Sequence, residues 1–305
     1  MTSIIFPGQG SQFVGMIRDF YDNYQIVKQT IEKISDYSGI NIKEIIFEDK
    51  NNFLDLTQYT QLSLFSASYC IFEVLKKEKP NFINSINSML GHSLGEYTAL
   101  ACSDKLSLED TCKILKKRGE LMGNAVPSKK SGMAALIGCD SNTIEKIINE
   151  NNINLEIAND NSPIQIVVSG AIDDLKDSKN VFLDNKVKRF VILKVSAAFH
   201  SKYMVKAEEE LNNHINILNF NQNSIKIISN STSKISNDSK LIKESIKKQM
   251  SNRVRWTESI KELENTGEKK IIEIGPGSVL SGLIKRISNN FDIKTVSNMG
   301  DLETL

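Results

Sequence analysis

The chain opens on a short apolar run, Ser3–Phe6, that breaks at "PGQGSQ" before a helical spacing of apolar residues near Val14–Asn23. Near the other end "KKIIEI" (Lys269–Ile274) breaks at "GPG" and passes into "SVLSGLIKRI", again apolar at helical spacing. Strand, glycine loop and helix in that order predict the unit of a parallel α/β sheet. A third such unit is "SMLG" followed by "HSLGEYTALA", although its strand is weak on local propensity. Long helical segments are predicted at Gln61–Lys77 and Leu106–Ala125.

The middle of the chain has a different rhythm. "GMAALIG" (Gly132–Gly138) reads as a strand and Ser141–Glu150 as a helix. "NLEIA" and "QIVVSG" read as two strands joined by a turn at "NDNSP", Ile172–Asn185 as one helix, and "KRFVILKVS" as a last strand. That order, βαββαβ, is ferredoxin-like. The expected architecture is therefore α/β: a large α/β-hydrolase-like domain with a parallel sheet, from residues 1–128 and 197–305, and an inserted ferredoxin-like subdomain, 129–196. A cleft between two such lobes favours a small-molecule site.

Composition narrows the classes of function. Of 305 residues, 40% are hydrophobic and 25% charged, with a formal net charge of +1. Such a balance offers no field for gripping nucleic acid. No stretch approaches the ~18 apolar residues needed to cross a bilayer, and the start lacks a signal-peptide pattern. Cys70, Cys102, Cys112 and Cys139 form no Cys-x-x-Cys pair and have no histidine at ligand spacing. They read as reduced, buried residues of a cytoplasmic protein with no metal.

The chemistry gathers in "MLGHSLGEYTALA" (Met89–Ala101), where Ser93 stands between Gly91 and Gly95. Glycines there permit a tight strand-to-helix turn that lifts a serine oxygen clear and directs the Leu94 N–H toward a reacting carbonyl. A glycine corner with a capping serine fits the same pattern equally well. A nucleophilic serine needs a base, and only His92, His200 and His214 are available. On a sharp turn His92 should point away from the cleft, and His214 lies in a polar stretch, suiting a surface position. His200, where the chain re-enters the large domain, is placed to face the cleft; a satisfied buried histidine is the alternative. Gly8 and Gly10 free the backbone around Gln9 to supply a second oxyanion donor. The competing dinucleotide loop fails, because Phe13 stands where its third glycine should.

Only 6 of the 38 basic residues are arginine. One of them, Arg118, lies beside the helical face of Ile114, Leu115 and Leu121, where its fork needs an anionic partner. A protein carboxylate or a substrate carboxylate would serve. Lys113, Lys116, Lys117, Lys285 and Arg286 form two basic clusters that could receive an acidic partner, although charge runs are usually solvated faces.

"FPGQGSQ", "GHSLGEY", "KRG", "AAFHS", "KQMSNRVRW" and "EIGPGSVLSGLIKR" resemble, in order and spacing, the malonyl-CoA:acyl-carrier-protein transacylases, and the likeness spans nearly the whole chain. The resemblance implies a malonylated nucleophile at Ser93 and a general base at His200. It implies that a backbone carbonyl near Gln249 orients that base, and that Gln9 and Leu94 are oxyanion donors. Arg118 would pair with the malonyl carboxylate, Gln61 would line the acyl pocket, and Asn161 would face coenzyme A. It further implies malonyl-CoA and acyl carrier protein as substrates in fatty-acid synthesis, no cofactor, and a monomer. Phe199 resembles the malonyl-selecting form. Ala198 stands where the family often has proline, and Ile164 where it often has glycine. A serine esterase or thioesterase, or a non-catalytic carrier-binding subunit, are the rival readings.

Overall fold

The computed structural model describes residues 2–126 and 130–305. Ten strands fall into two sheets. The larger contains β1 (Thr2–Phe6), β2 (Ile86–Gly91), β7 (Lys226–Ile228), β8 (Ile235–Ser236), β9 (Lys270–Ile274) and β10 (Asp292–Val296), in the order β10-β9-β1-β2-β7-β8. Its first five members in that order are parallel, and β8 closes one edge antiparallel to β7.

Parallel strands covered on both faces should read as unbroken apolar runs, and β1 and β9 do. Along β1, Ile4 and Phe6 enter a core shared with Phe65, Phe72 and Leu100, whereas Ile5 enters a second core with Leu90, Trp256 and Leu283. Period-2 alternation thus feeds two cores from one strand. The helix Thr57–Glu78 is buried on nearly every side through its first five turns and forms the spine of the first core.

β3 (Ser131–Ile137), β4 (Leu155–Ser162), β5 (Gln165–Ala171) and β6 (Arg189–Ile192) form the smaller, wholly antiparallel sheet, ordered β4-β5-β3-β6. That is the ferredoxin-like order, with the second, third, first and fourth strands of the βαββαβ run side by side. It has its own core of Leu136, Ile144, Ile166, Leu175 and Phe182. The boundary expected at 128/129 lies outside the described residues.

Local expectations needed correction in three places. The "NDNSP" turn is strand as far as Ser162, with register shifts at Ile157/Asn159 and Asp160/Ser162. Its polar residues stay in a buried strand because distant groups satisfy them: the Asp160 N–H donates to the Val254 carbonyl at 2.9 Å, and Thr257 Oγ1 donates to Asp160 Oδ1 at 2.6 Å. The helix Ile172–Asn185 is two, Ile172–Asp177 and Lys179–Asp184, parted at Ser178, whose hydroxyl bonds back to the Asp174 carbonyl at 2.6 Å. Near the start only Arg18–Asn23 is helical, because Gly15 and Ile17 take positive φ of 88° and 59°.

Candidate active site

β2 runs into the helix Leu94–Cys102 through a corner too tight for side chains. A Cβ on Gly91 would lie 2.0 Å from the Gly95 carbonyl carbon, and one on Gly95 would lie 2.1 Å from the Phe6 carbonyl oxygen. Glycine at both positions lets the helix sit directly on β1. Ser93 takes φ 52° and ψ −101°, a conformation that costs about 1–3 kcal/mol unless its surroundings enforce it. Asn230, on the loop after β7, supplies the enforcement. Its Oδ1 accepts from the Ser93 N–H at 2.6 Å, and its Nδ2 donates to the Gly91 carbonyl at 2.7 Å.

Two polar side chains converge on the Ser93 hydroxyl. His200 Nε2 lies 2.8 Å from Ser93 Oγ, and Arg118 Nη2 donates to the same oxygen at 3.1 Å. His200 Nδ1 faces two backbone carbonyls, of Gln249 at 3.0 Å and Asn252 at 3.1 Å. A proton on Nδ1 satisfies them and leaves Nε2 free to accept from the serine. Burial, and next the neighbouring Arg118 charge, push the His200 pKa down from 6.5 to about 3, so the imidazole is neutral at ordinary pH.

Arg118 is 1% exposed, and its hydrogen-bond partners are all neutral. Nη1 donates to Gln61 Oε1 at 2.6 Å and Nη2 also donates to Gln249 Oε1 at 2.9 Å, while Nε has no partner. Its guanidinium carbon stands 5.2 Å from the Tyr97 ring centre. Of the two expected partners, the protein carboxylate is therefore ruled out among the described residues. A buried guanidinium stays charged, so an arrangement whose partners are two amides and a hydroxyl can receive an anion.

Ser93, Leu94, His200, Arg118, Gln61 and Phe199 line a cavity of about 120 Å³. A second, of about 220 Å³, is lined by Gly8, Ser11, Asn161, Gln165 and Leu283. Gln9, His92, Asn159 and Leu193 border both, so the two are adjacent. Gln9 sits at their junction, half-buried, with Nε2 3.4 Å from Thr57 Oγ1. Leu94 is the first residue of its helix, where the N–H has no helical partner.

The expectation for His92 is corrected: it turns toward the cavities, its Nε2 2.8 Å from Asn161 Oδ1 and its ring centre 5.7 Å from that of Trp256. His214 is exposed on the helix Val205–Ile217, away from the site. Of the basic residues, Lys113 and Lys117 pair with Glu109 and Glu210, and Lys116 donates to the Ser38 carbonyl. Arg286 donates to Gln165 Oε1 at 3.2 Å, beside the second cavity.

Sequence reasoning missed Asn230, Asn252 and Glu96. Glu96 is buried in the helix after Ser93, and its Oε2 accepts from Gln249 Nε2 at 2.8 Å and from the Asn230 N–H at 3.1 Å. A lone acid within "LGEYTALAC" was the available signal. Among the described residues no cluster of three or more His, Cys, Asp or Glu is placed to hold a metal ion, and no helix is long and apolar enough to cross a membrane.

A serine on a strand-to-helix corner, hydrogen-bonded to a neutral buried histidine and open to a cavity, is the equipment of enzymes that form acyl-serine esters. Comparison with known proteins carries that class further. The acyl transferase domain family matches residues 4–303. The malonyl CoA-acyl carrier protein transacylase of Staphylococcus aureus (strain MRSA252) is 36% identical over 99% of this chain and 97% of its own. That of Bacillus subtilis (strain 168) is 34% identical over 99% and 94%. An acyl carrier protein S-malonyltransferase from Vibrio cholerae superposes with a TM-score of 0.93 at 33% identity, covering 99% of both chains. A malonyl-transacylase solved in complex with the acyl-carrier protein of a type II PKS superposes at 0.94, with 31% identity over 99% and 98%. The chain belongs to the acyl transferase domain family, and it is an acyltransferase.

Proposed function

We propose that this protein moves a malonyl group from malonyl-CoA to the phosphopantetheine thiol of an acyl carrier protein, through a malonyl ester on Ser93, to supply fatty-acid synthesis. The observation that carries this reading is Arg118. A buried guanidinium with only neutral partners, reaching the same oxygen as His200, suits an acyl group ending in a carboxylate. The relatives named as malonyl transacylases support it.

In the first half-reaction His200 Nε2 takes the Ser93 hydroxyl proton as Oγ bonds to the thioester carbon. The resulting oxyanion is received by the N–H groups of Gln9 and Leu94, each such donor being worth roughly 2.7–4 kcal/mol in comparable sites. The carbon–sulfur bond breaks, the coenzyme thiolate takes the proton back from His200, and malonyl remains as an ester. In the second half the carrier thiol gives its proton to His200, attacks the ester and leaves as the malonyl thioester, with the proton returned to Ser93. Arg118 pairs with the malonyl carboxylate throughout and fixes the carbonyl over Ser93. Gln61 holds Arg118 from behind. The second cavity, with Asn161 on its wall, takes the pantetheine arm of either thiol. The thioester supplies the reactivity, so the cycle calls on no metal or redox cofactor. A cytoplasmic monomer is the form this reading takes.

Intact mass after brief mixing with malonyl-CoA tests it. The wild type should gain one malonyl group and Ser93→Ala none. Arg118→Ala should load malonyl about 100-fold more slowly while keeping acetyl loading, since hydrogen bonds to charged groups are worth about 1.5–3 kcal/mol. A malonyl adduct surviving in Ser93→Ala would sink the assignment, and release of free malonate without an adduct would favour a hydrolase.

A further inference from the structure

The side chain of Gln249 is clamped from three directions. Its Nε2 donates to Glu96 Oε2 and to the Ser93 carbonyl, both at 2.8 Å, and its Oε1 accepts from Arg118 Nη2 at 2.9 Å. Turning the amide over would set its oxygen against the Ser93 carbonyl and the carboxylate, and its NH₂ against the guanidinium. Only one orientation satisfies all three neighbours, and an ionised Glu96, which can only accept, makes the strongest demand. Glu96 touches neither cavity, and its other acceptor bond goes to the Asn230 backbone, in the residue that clamps the Ser93 corner.

We propose that Glu96 is a positioning residue: its carboxylate locks the Gln249 amide with its oxygen toward Arg118, and so holds the guanidinium where it meets the carboxylate of an incoming acyl group. This rests on the reading of Arg118 as carboxylate clamp. The relay places a counter-charge one amide away from Arg118, near enough to orient the fork and too far to occupy it. A carboxylate in direct contact would compete with the substrate, and a hydrophobic residue would leave the amide orientation to the Ser93 carbonyl and Arg118 alone.

The charged and titratable groups around Glu96 are Arg118 on the helix Leu108–Asn124, Tyr97 on its own helix, and His200 across Ser93. Glu208, on the helix Val205–Ile217, acts on Tyr97 from behind. The loops carrying Asn230 and Gln249 add neutral groups. Burial outweighs the hydrogen bonds Glu96 receives and pushes its pKa up to about 7. A protonated Glu96 accepts more weakly and can also donate to the turned amide, so the lock loosens to what the Ser93 carbonyl and Arg118 supply.

The test is the ratio of malonyl to acetyl loading rates, read by intact mass from pH 5.5 to 8.5 in the wild type and in Glu96→Gln. The ratio cancels whatever Ser93 and His200 contribute to both reactions. In the wild type it should fall as the pH drops through 7. In Glu96→Gln it should be about tenfold lower at pH 8.5, within the losses that small misplacements cause, and it should no longer change near pH 7. A flat wild-type ratio would overturn the proposal without any variant, as would a Glu96→Gln ratio that keeps the wild-type pH dependence. A higher ratio in Glu96→Gln would overturn it too, because Glu96 would then merely oppose the substrate carboxylate. Failure of the clamp reading looks different: Arg118→Ala would leave the ratio unchanged at every pH.

Discussion

Two corners of the large sheet lead through glycines and a serine into a helix, and they face opposite things. After β2 the chain reads "GHSLG", and Ser93 is held at φ 52° by a side chain 137 residues away. After β9 it reads "GPGSV", and Ser278 sits at φ −148° with no such clamp. The helix that follows Ser278 has its N-terminus filled from within. Glu273, next to the last residue of β9, accepts from the Leu280 N–H at 3.1 Å and the Ser281 N–H at 2.7 Å. The helix that follows Ser93 carries Glu96 in its first turn, but that carboxyl turns to Gln249 and the Asn230 N–H instead of to the helix's own first N–H groups, and Leu94 at the helix start borders the cavity. A helix N-terminus favours an anion in either case. One corner carries a built-in carboxyl acceptor, while on the function proposed above the other keeps the place for an oxyanion that exists only during reaction.

The clamp on Ser93 is where the comparison can be broken hardest. Asn230→Ala removes the acceptor of the Ser93 N–H and the donor to Gly91. Each group left buried without a partner costs about 1–3 kcal/mol, so the corner should relax toward the Ser278 geometry and malonyl loading should fall by roughly 10–100-fold. Rapid-mixing intact mass gives the rate, and a thermal melt separates lost geometry from lost folding. Loading at the wild-type rate would show that the turn supports itself and that the two corners differ less than their angles suggest.

The share of this that was legible in the sequence follows the range of the contacts involved. All three strand–glycine–helix units were readable, because apolar runs, glycines and helical spacing are local. Ser93, His200 and Arg118 stood out because a glycine-flanked serine, one of three histidines and one of six arginines are scarce and chemically distinctive, and the βαββαβ order came from the sequence of apolar runs and helical segments. What joins them was not readable. Gln249 meets Ser93 across 156 positions and Glu96 across 153, and nothing near any of them announces the meeting. The same limit hid the strand in "NDNS", whose polar residues look like a turn until Val254 and Thr257 arrive from about a hundred residues on. His92 was misdirected for a related reason: Trp256, beside its ring, comes from far along the chain.

Glu273 sharpens the comparison from the other side, with a smaller effect. Glu273→Ala would strip the Leu280 and Ser281 N–H groups of their acceptor. Stability to denaturant should then drop by about 1–3 kcal/mol, while malonyl loading at saturating substrate holds. Equal damage to loading would mean that both helix ends serve the reaction.

The finest distinction lies in how pH acts on the built-in carboxyl. Burial raises the Glu273 pKa above its ordinary 4.5, against the pull of the Ser281 and Leu280 hydrogen bonds. Because the folded value exceeds the unfolded one, the contribution of this group to stability is complete below about 4.5 and is lost as the pH rises through the folded value. Glu273→Gln keeps an acceptor at the helix end and removes the titration. Unfolding midpoints at pH 5 and pH 8 should therefore differ less in Glu273→Gln than in the wild type, by a modest amount, since Glu96 contributes a slope of the same sign in both proteins. An identical pH dependence in the two would show that Glu273 does not titrate in this window. Glu273 would then keep one protonation state from pH 5 to pH 8, and the two helix ends would differ in their built-in acceptor without any difference in pH response.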